Sequence, residues 1–507
     1  MAKETMLMTL PCDSPFLIPT VLPPKQQVWD LTPRWERKME NLLEEVEQLF
    51  QSQLGLNELL SMSRKLQAES TTRIRWSPRS MLPSHNYNLP TGEERGTYLV
   101  LDVGGSTLRV AMVELNGRQR GQGPLRIRRM ECHPIDASIK ALKDVAFFDW
   151  IAGKIDIMLA SDKGYRQSGT EPLAMGVAWS FPIKQTSIRS GKLLSMGKSF
   201  VCSGSVVGQD LNEVITKACQ RRKLHIRLDA IVNDSSATLL SRAYTHHATR
   251  IALIFGTGMN AAIYLPTRAF TALKLDSSRT QPASHVLVNA ELSMFGKAIL
   301  PTTRWDDHLN QHHLLPDYQP FEYLVTGAYL GEIVRLILVE AARSAGLFNG
   351  LLPPSLLEPY ALDTHSIAIV EADTSPSLSR SRALFCKLFP SPSPPTQYDL
   401  RFVQRVVACV SRRASAYLAA GIHALWSLHY AAEGLDPRGA DQMGRVMRIG
   451  CNGSVVNKYP GFRERCQGVL DDIMDAEGLG RGRVVLESAE EGSVLGAGVA
   501  AALAGRS

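Results

Sequence analysis

The spacing of hydrophobic and polar positions changes several times along this 507-residue chain. Residues about 34 to 68 read as helix, because in "ERKMENLLEEVEQLFQSQLGLNELL" apolar positions recur every three or four residues with charges between them. From Tyr98 to Leu115 the pattern becomes two apolar strands around a glycine turn, "YLVLDVGGSTLRVAMVEL". "LAMGVAWSFP" (Leu173 to Pro182) reads as a buried strand ended by Pro182, and "LDAIVNDSSATLLSRAY" (Leu228 to Tyr244) as a strand running into a helix. "RIALIFGTGMNAAIYL" (Arg250 to Leu265) then repeats the earlier order of strand, glycine turn and strand.

That echo, about 150 residues after the first, predicts two similar α/β lobes, each with a glycine turn at the head of its sheet. The expected division is a tail over 1–30, a first region over 31–240 and a second over 241–507. A third glycine turn, "MRIGCNGSVVNKYPGF" (Met447 to Phe462), and a fourth, "EEGSVLGAGVAAAL" (Glu490 to Leu503), add backbone donors at strand ends or helix starts. "FPSPSPPTQYD" (Phe389 to Asp399) reads as a surface loop without chemistry.

The polar residues inside these turns carry the chemistry. Glycines at a tight strand connection supply positive φ, which explains the pair in the first turn as a hairpin. It does not explain Asp102 at the end of a buried strand beside Ser106 and Thr107. Exposed amides, small hydroxyls and an acid suit a phosphate and its metal: the first two hold oxygens and the carboxylate holds Mg²⁺. Asp234 stands where a strand becomes a helix, so it is either a helix cap or, at the carboxyl end of a strand, the base for a sugar hydroxyl beside Asn233. Asn260, Glu291 and Glu322 hold similar positions, and with Ser180 and Lys198 they form the acid- and amide-rich set a polyol requires.

Composition narrows the class. With 44% hydrophobic and 21% charged residues, the chain is globular and long enough for two sizeable cores. No apolar run reaches membrane-span length, and the proline-bearing start matches neither a secretory signal nor a transit peptide, so a soluble intracellular protein is expected. Eight scattered cysteines without a CxxC pair fit free thiols in a reducing compartment. The net charge of +7 owes much to "RIRRM" (Arg126 to Met130) and "QRRKLHIR" (Gln220 to Arg227), which lack interleaved aromatics, so no nucleic-acid partner is expected.

Taken in order, these segments resemble the eukaryotic hexokinases, of a divergent and possibly fungal type. "MLPSHNYNLPTGEERGTYLVLDVGGSTLRV" is similar to the family's entry into its first phosphate motif, "GVAWSFPIKQTS" to its sugar loop, "VNDSSATL" to its base segment and "GTGMNAAIY" to its second phosphate motif. "NAELSMFG", "LPTTRWDDHLN", "FEYLVTGAYLGEIVR", "VVACVSRRAS" and "NGSVVNKYPGF" follow in family order.

The resemblance implies a two-lobed actin-like ATPase fold (ribonuclease H-like), with a sugar and ATP cleft between lobes, that transfers the γ-phosphate of Mg·ATP to the 6-hydroxyl of glucose, fructose or mannose. It implies Asp234 as general base and Ser180, Phe181, Pro182, Asn233, Asn260, Glu291 and Glu322 around the sugar, with Lys198 touching sugar and transferring phosphoryl. Asp102, Gly104, Gly105, Ser106, Thr107, Arg109, Gly256, Thr257, Gly258, Gly453 and Ser454 are implied for nucleotide and Mg²⁺, with Asp102 on the metal. A cytoplasmic home is expected, with nuclear or mitochondrial-surface association and a regulatory protein partner as alternatives the family allows.

Departures from the family pattern fall inside the motifs. Ser106-Thr107 replaces Thr-Asn, Gly197 removes a sugar-contacting threonine hydroxyl (about 1–2 kcal/mol), and Leu292-Ser293 replaces Trp-Gly. Asn452 replaces Asp, Val494-Leu495 stands for Gly and a basic residue, and "LEPYALDTHSIAIVEAD" lacks the Thr-Arg-Gly expected near adenosine. Two readings follow: an active hexose kinase, favoured by Asp234, Lys198 and Asp102, or a catalytically weak or inactive sugar-sensing regulator, favoured by Thr107, Gly197, Val494 and Leu495.

Overall fold

The computed structural model describes residues 38–118, 123–160, 171–196, 200–201, 205–275, 283–391, 393–439, 442 and 444–505. Two mixed sheets form its frame. The first orders its strands Leu125–Pro134, Thr107–Asn116, Arg95–Val103, Leu173–Trp179, Ile226–Val232. The second orders them Leu82–Pro83, His285–Asn289, Met259–Pro266, Ile251–Phe255, Met447–Asn452, Val484–Ser488. Apart from the two-residue edge strand, each sheet runs third, second, first, fourth, fifth in its own chain order. In each, the first three strands pair antiparallel and the last two join parallel to the first. The echo between the glycine turns is thus a repeated lobe.

Strand alternation decides which surfaces meet. Leu99, Leu101, Val103, Leu108 and Val110 turn to the outer core of the first lobe, where helices Ala146–Ala160 and Leu211–Arg221 cover them. Their neighbours Val100, Ala111 and Val113, with Ala178, Ala230, Ala252 and Ala262, turn inward to a separate core between the sheets. So many alanines leave room for two helices to lie close against both sheets.

Those helices are exchanged. Asp234–Thr245 follows the last strand of the first sheet yet packs on the second, while Gly492–Ala504 follows the last strand of the second sheet and packs on the first. Where they cross, a Cβ on Gly496 would overlap the Ala237 carbonyl, so only glycine permits the approach. Val494 is fully buried in this core and Leu495 packs against it. Their departure from the family pattern is therefore accommodated by packing.

The expected helix over 34–68 is two helices, Met39–Gln51 and Leu56–Trp76, separated at Ser52–Gly55. Apolar periodicity continues through the break because both bury one face against the long helix Gln397–Glu433 in the core of the second lobe. The basic clusters are largely paired: Arg126 with Glu114, Arg129 with Glu131, Arg221 with Asp149 and Arg227 with Asp229. No described helix is long and apolar enough to cross a membrane.

Candidate active site

The first glycine turn, Gly104 to Ser106, joins Arg95–Val103 to Thr107–Asn116 and is closed by the Gly104 amide donating to the Thr107 carbonyl (3.1 Å). Neither Gly104 nor Gly105 has positive φ, and neither do Gly256 and Gly258, contrary to the simple hairpin expectation. Close approach explains the second turn instead. A Cβ on Gly258 would lie 2.8 Å from Glu322 Oε2, and one on Gly256 would lie 3.1 Å from the Ser454 amide. Gly453 alone among these takes a left-handed φ of 133°, and a side chain there would overlap the Phe255 carbonyl. The turns after the parallel neighbours Ile251–Phe255 and Met447–Asn452 thus stack Gly256, Gly453 and Ser454 into one backbone-lined corner.

Gly327 completes that corner. Its amide donates to the Gly256 carbonyl (2.8 Å), the Ala328 amide donates to the Thr257 carbonyl (3.0 Å), and Thr364 Oγ1 donates to the Gly327 carbonyl (2.7 Å). The segment "DTHS" therefore supports the second turn from behind. Sequence reasoning missed this role, since nothing local in a Thr at a helix start marks it.

Asp234 is the first residue of its helix, and Asn233 is the cap: Asn233 Oδ1 accepts from the Ser235 amide (2.9 Å) and hydroxyl (2.7 Å). With the capping role supplied by its neighbour, Asp234 is left for other work. Its Oδ1 accepts from the Ser235 amide (2.7 Å) and its Oδ2 from Ser180 Oγ (3.1 Å), so the carboxylate is held from the sugar-loop side. An acid here also faces the positive end of the helix dipole.

From Asn233 a polar ladder crosses into the second lobe. Asn260 Nδ2 donates to Asn289 Oδ1 (2.8 Å) and, more weakly, to Asn233 Oδ1 (3.4 Å), and Asn289 Nδ2 donates to Glu291 Oε1 (2.7 Å). Asn260 Oδ1 accepts from the amides of Ala261 (2.7 Å) and Glu291 (3.1 Å), while Glu322 Oε2 accepts from the Met259 amide (2.9 Å). Glu291 itself sits at φ 53°, a left-handed conformation uncommon outside glycine. Asn233, Asn260 and Glu291 are thus joined, Asn289 links them without having been singled out, and Glu322 meets the backbone beside Asn260.

Phe181 and Pro182 stand apart from this ladder. The Phe181 ring packs in the first-lobe core against Trp179 (5.2 Å) and Phe200 (5.1 Å), and exposed Pro182 offers its carbonyl to the Leu194 amide. Lys198, with Gly197 and Ser199, lies outside the described residues.

Asp102 lies almost wholly buried at the end of its strand, directly opposite Arg109 in the hairpin register. Its Oδ2 accepts from Arg109 Nη1 (2.9 Å) and from Ser493 Oγ (2.8 Å). Burial pushes its carboxyl up from the usual range. Arg109 and Ser493 oppose that push, and the nearby charge of Asp234 adds to it. Arg109 also reaches Glu491 (3.5 Å) and is thus tied to the protein on two sides. Among the described residues no three His, Cys, Asp or Glu side chains converge as a protein-only metal site. A single carboxylate beside a glycine turn is instead a donor set that fits Mg²⁺, which retains waters when bound.

Comparison with known proteins shows the family of the chain. Hexokinase family models match residues 39–244 and 250–503. The chain belongs to the hexokinase family. Chloroplastic hexokinase-4 of Oryza sativa is 32% identical over 429 residues, 83% of this chain and 80% of the rice protein. Hexokinase-2 of Candida albicans is 30% identical over 427 residues, 83% of this chain and 84% of the other. The hexokinase of Schistosoma mansoni, solved in complex with glucose, superposes with a TM-score of 0.75 at 25% identity, covering 92% of this chain and all of that one. The two-lobed hexokinase fold expected from the motifs is the fold found.

Proposed function

We propose that this hexokinase transfers the γ-phosphoryl group of ATP to the 6-hydroxyl of glucose or a closely related hexose, with Asp234 as general base. The observation that carries the reading is the placement of Asp234 between Ser180 and the Asn233, Asn260, Asn289, Glu291 ladder. A hexose presents hydroxyls that each donate and accept, and the ladder offers amide donors beside carboxylate acceptors. With ring hydroxyls held by Asn233, Asn260, Glu291 and Glu322, the 6-hydroxyl is directed to Asp234, which accepts its proton as the oxygen attacks phosphorus. Ser180 orients the carboxylate for that transfer.

Nucleotide is assigned to the facing turns. Amides of Gly105, Ser106 and Thr107 and of Thr257, Gly258, Gly453 and Ser454 are assigned as donors to the polyphosphate, while those of Gly104 and Gly256 close their own turns on the Thr107 and Gly258 carbonyls. Asp102, braced by Arg109, would hold hydrated Mg²⁺, which would supply charge neutralisation to the polyphosphate. Lys198 is assigned to the transferring phosphoryl, where a fixed cation stabilises spreading negative charge. Coupling lobe closure to hexose binding would keep water, a smaller nucleophile, from being phosphorylated. For this purpose the chain divides into a first region over 31–240 and a second over 241–507. Free thiols at all six described cysteines support a reducing, cytoplasmic compartment.

The deciding experiment is hexose-dependent ADP release with Mg·ATP and saturating glucose or fructose, run beside Asp234→Ala. Turnover abolished in that variant supports the kinase and the base. Turnover no greater than that of the variant, with glucose still raising the melting temperature, would make the protein a sugar-binding regulator instead.

A further inference from the structure

Asp102 and Asp234 belong to the same lobe in sequence, yet a residue from the far end of the chain reaches both their surroundings. Ser493 stands in the first turn of the last helix, 5% exposed, and its hydroxyl donates to Asp102 Oδ2 across a separation of 391 residues. One residue before it, Gly492 lies so close to Thr238 that a Cβ would come within 3.0 Å of the Thr238 methyl, and Gly496 presses on Ala237. Thr238 and Ala237 lie in the first turns of the helix that Asp234 begins. The same helix end therefore abuts the base helix and bonds the buried acid.

The bond also chooses between the two oxygens of Asp102. Arg109 Nη1 and Ser493 Oγ both donate to Oδ2, and among the described residues Oδ1 accepts from none. Two donors converging on one oxygen fix the carboxylate rotamer and commit the other oxygen to whatever enters the cleft. Arg109 cannot do this alone, because its guanidinium is shared with Glu491. A neutral hydroxyl adds direction without cancelling the carboxylate's charge, which a second cation would do.

We infer that Ser493 is a positioning residue for metal-bound nucleotide: it clamps Oδ2 of Asp102 so that Oδ1 is presented to the hydrated Mg²⁺ of Mg·ATP. This rests on the reading of Asp102 as the metal-facing acid. The role differs from that of a structural serine, because its loss should be felt only when metal is present.

The test is calorimetric binding of a non-hydrolysable ATP analogue, with Mg²⁺ and with EDTA, to the full chain and to Ser493→Ala, Ser493→Cys, Ser493→Thr and Asp102→Ala. In the unaltered protein Mg²⁺ tightens binding. Ser493→Ala and the near-isosteric Ser493→Cys, a poor donor, should lose about tenfold of that gain. Their EDTA affinity, glucose affinity and melting temperature should stay close to those of the parent, and Ser493→Thr should restore the gain. In turnover assays kcat should fall with hexose KM unchanged. Retention of the full Mg²⁺ gain by Ser493→Cys, while Asp102→Ala loses it, overturns the role of Ser493 and leaves Asp102 standing. Retention by Asp102→Ala overturns the metal assignment itself, and the inference with it.

Discussion

At the scale of single residues, the site works by giving each carboxylate a separate holder. Asp234 is held by a hydroxyl and an amide, and Asp102 by a guanidinium and a hydroxyl. Exchanging the proposed base should leave the holders intact, so Asp234→Asn is expected to lower kcat by about 10²- to 10⁴-fold while glucose still raises the melting temperature. Steady-state kinetics beside a thermal shift assay checks this. Gly258→Ala acts differently. Its methyl would meet Glu322 Oε2 at 2.8 Å and displace the carboxylate from the Met259 amide. Hexose KM should rise several-fold with kcat less affected, measured with glucose at saturating ATP. Asp102 and Asp234 could be singled out in the sequence because one stands at, and the other just past, the end of an apolar strand beside small polar residues. Asn289 and Ser493 were not, since an Asn in "LVNAEL" and a Ser in "EEGSVL" acquire meaning only from partners many residues distant.

At the scale of elements, the strand, turn, strand segments were the most readable because their period and their punctuation agree. The long helix Gln397–Glu433 was not predicted, although "VVACVSRRAS" lies within it. Most of its residues from Leu400 to Tyr430 are buried, so the one-sided amphipathic signal is blurred. Within that helix Arg413 is 1% exposed and donates to Asp306 of helix Arg304–His312 (2.8 Å), tying two helices of the second-lobe core. Arg413→Met leaves a buried carboxylate without its cation and should cost about 3–5 kcal/mol, read as a lower midpoint in urea denaturation. The inter-lobe crossing is equally exacting. Gly496→Ala drives a methyl into the Ala237 carbonyl, and the helices must separate to admit it. A loss of about 1–3 kcal/mol is expected from overpacking, measured in the same way.

At the scale of the whole molecule, acid stability depends on contacts that hold the N-terminal helices to the second lobe. Glu477 lies 3.4 Å from His423 Nε2 and 3.2 Å from Arg64 Nη2, and Ser63 Oγ is 2.8 Å from His423 Nδ1. The His423 ring at that distance, with the Arg64 guanidinium behind it, holds the Glu477 carboxyl down to about 2 from an ordinary 4.5. A depressed folded-state value stabilises the protein above pH 4.5, and this contribution is lost as pH falls from there toward 2. Glu477→Gln should therefore lower the melting temperature near neutrality and converge with the parent in strong acid, as a pH series of thermal melts would show. The repeated lobe itself was visible in the sequence as an echo of two turns, whereas the exchange of helices between lobes was not, because it changes no local pattern.

That exchange bears on how the protein is made. The inward face of the first sheet, Val100, Ala111, Val113 and Ala178, is covered by Val494, Ala497 and Ala500, which a ribosome adds long after that sheet. The first sheet therefore emerges with an apolar surface that stays open until the helix Gly492–Ala504 has been made. Such a nascent chain needs sheltering over that interval, and its native state is reached only by a long-range docking step.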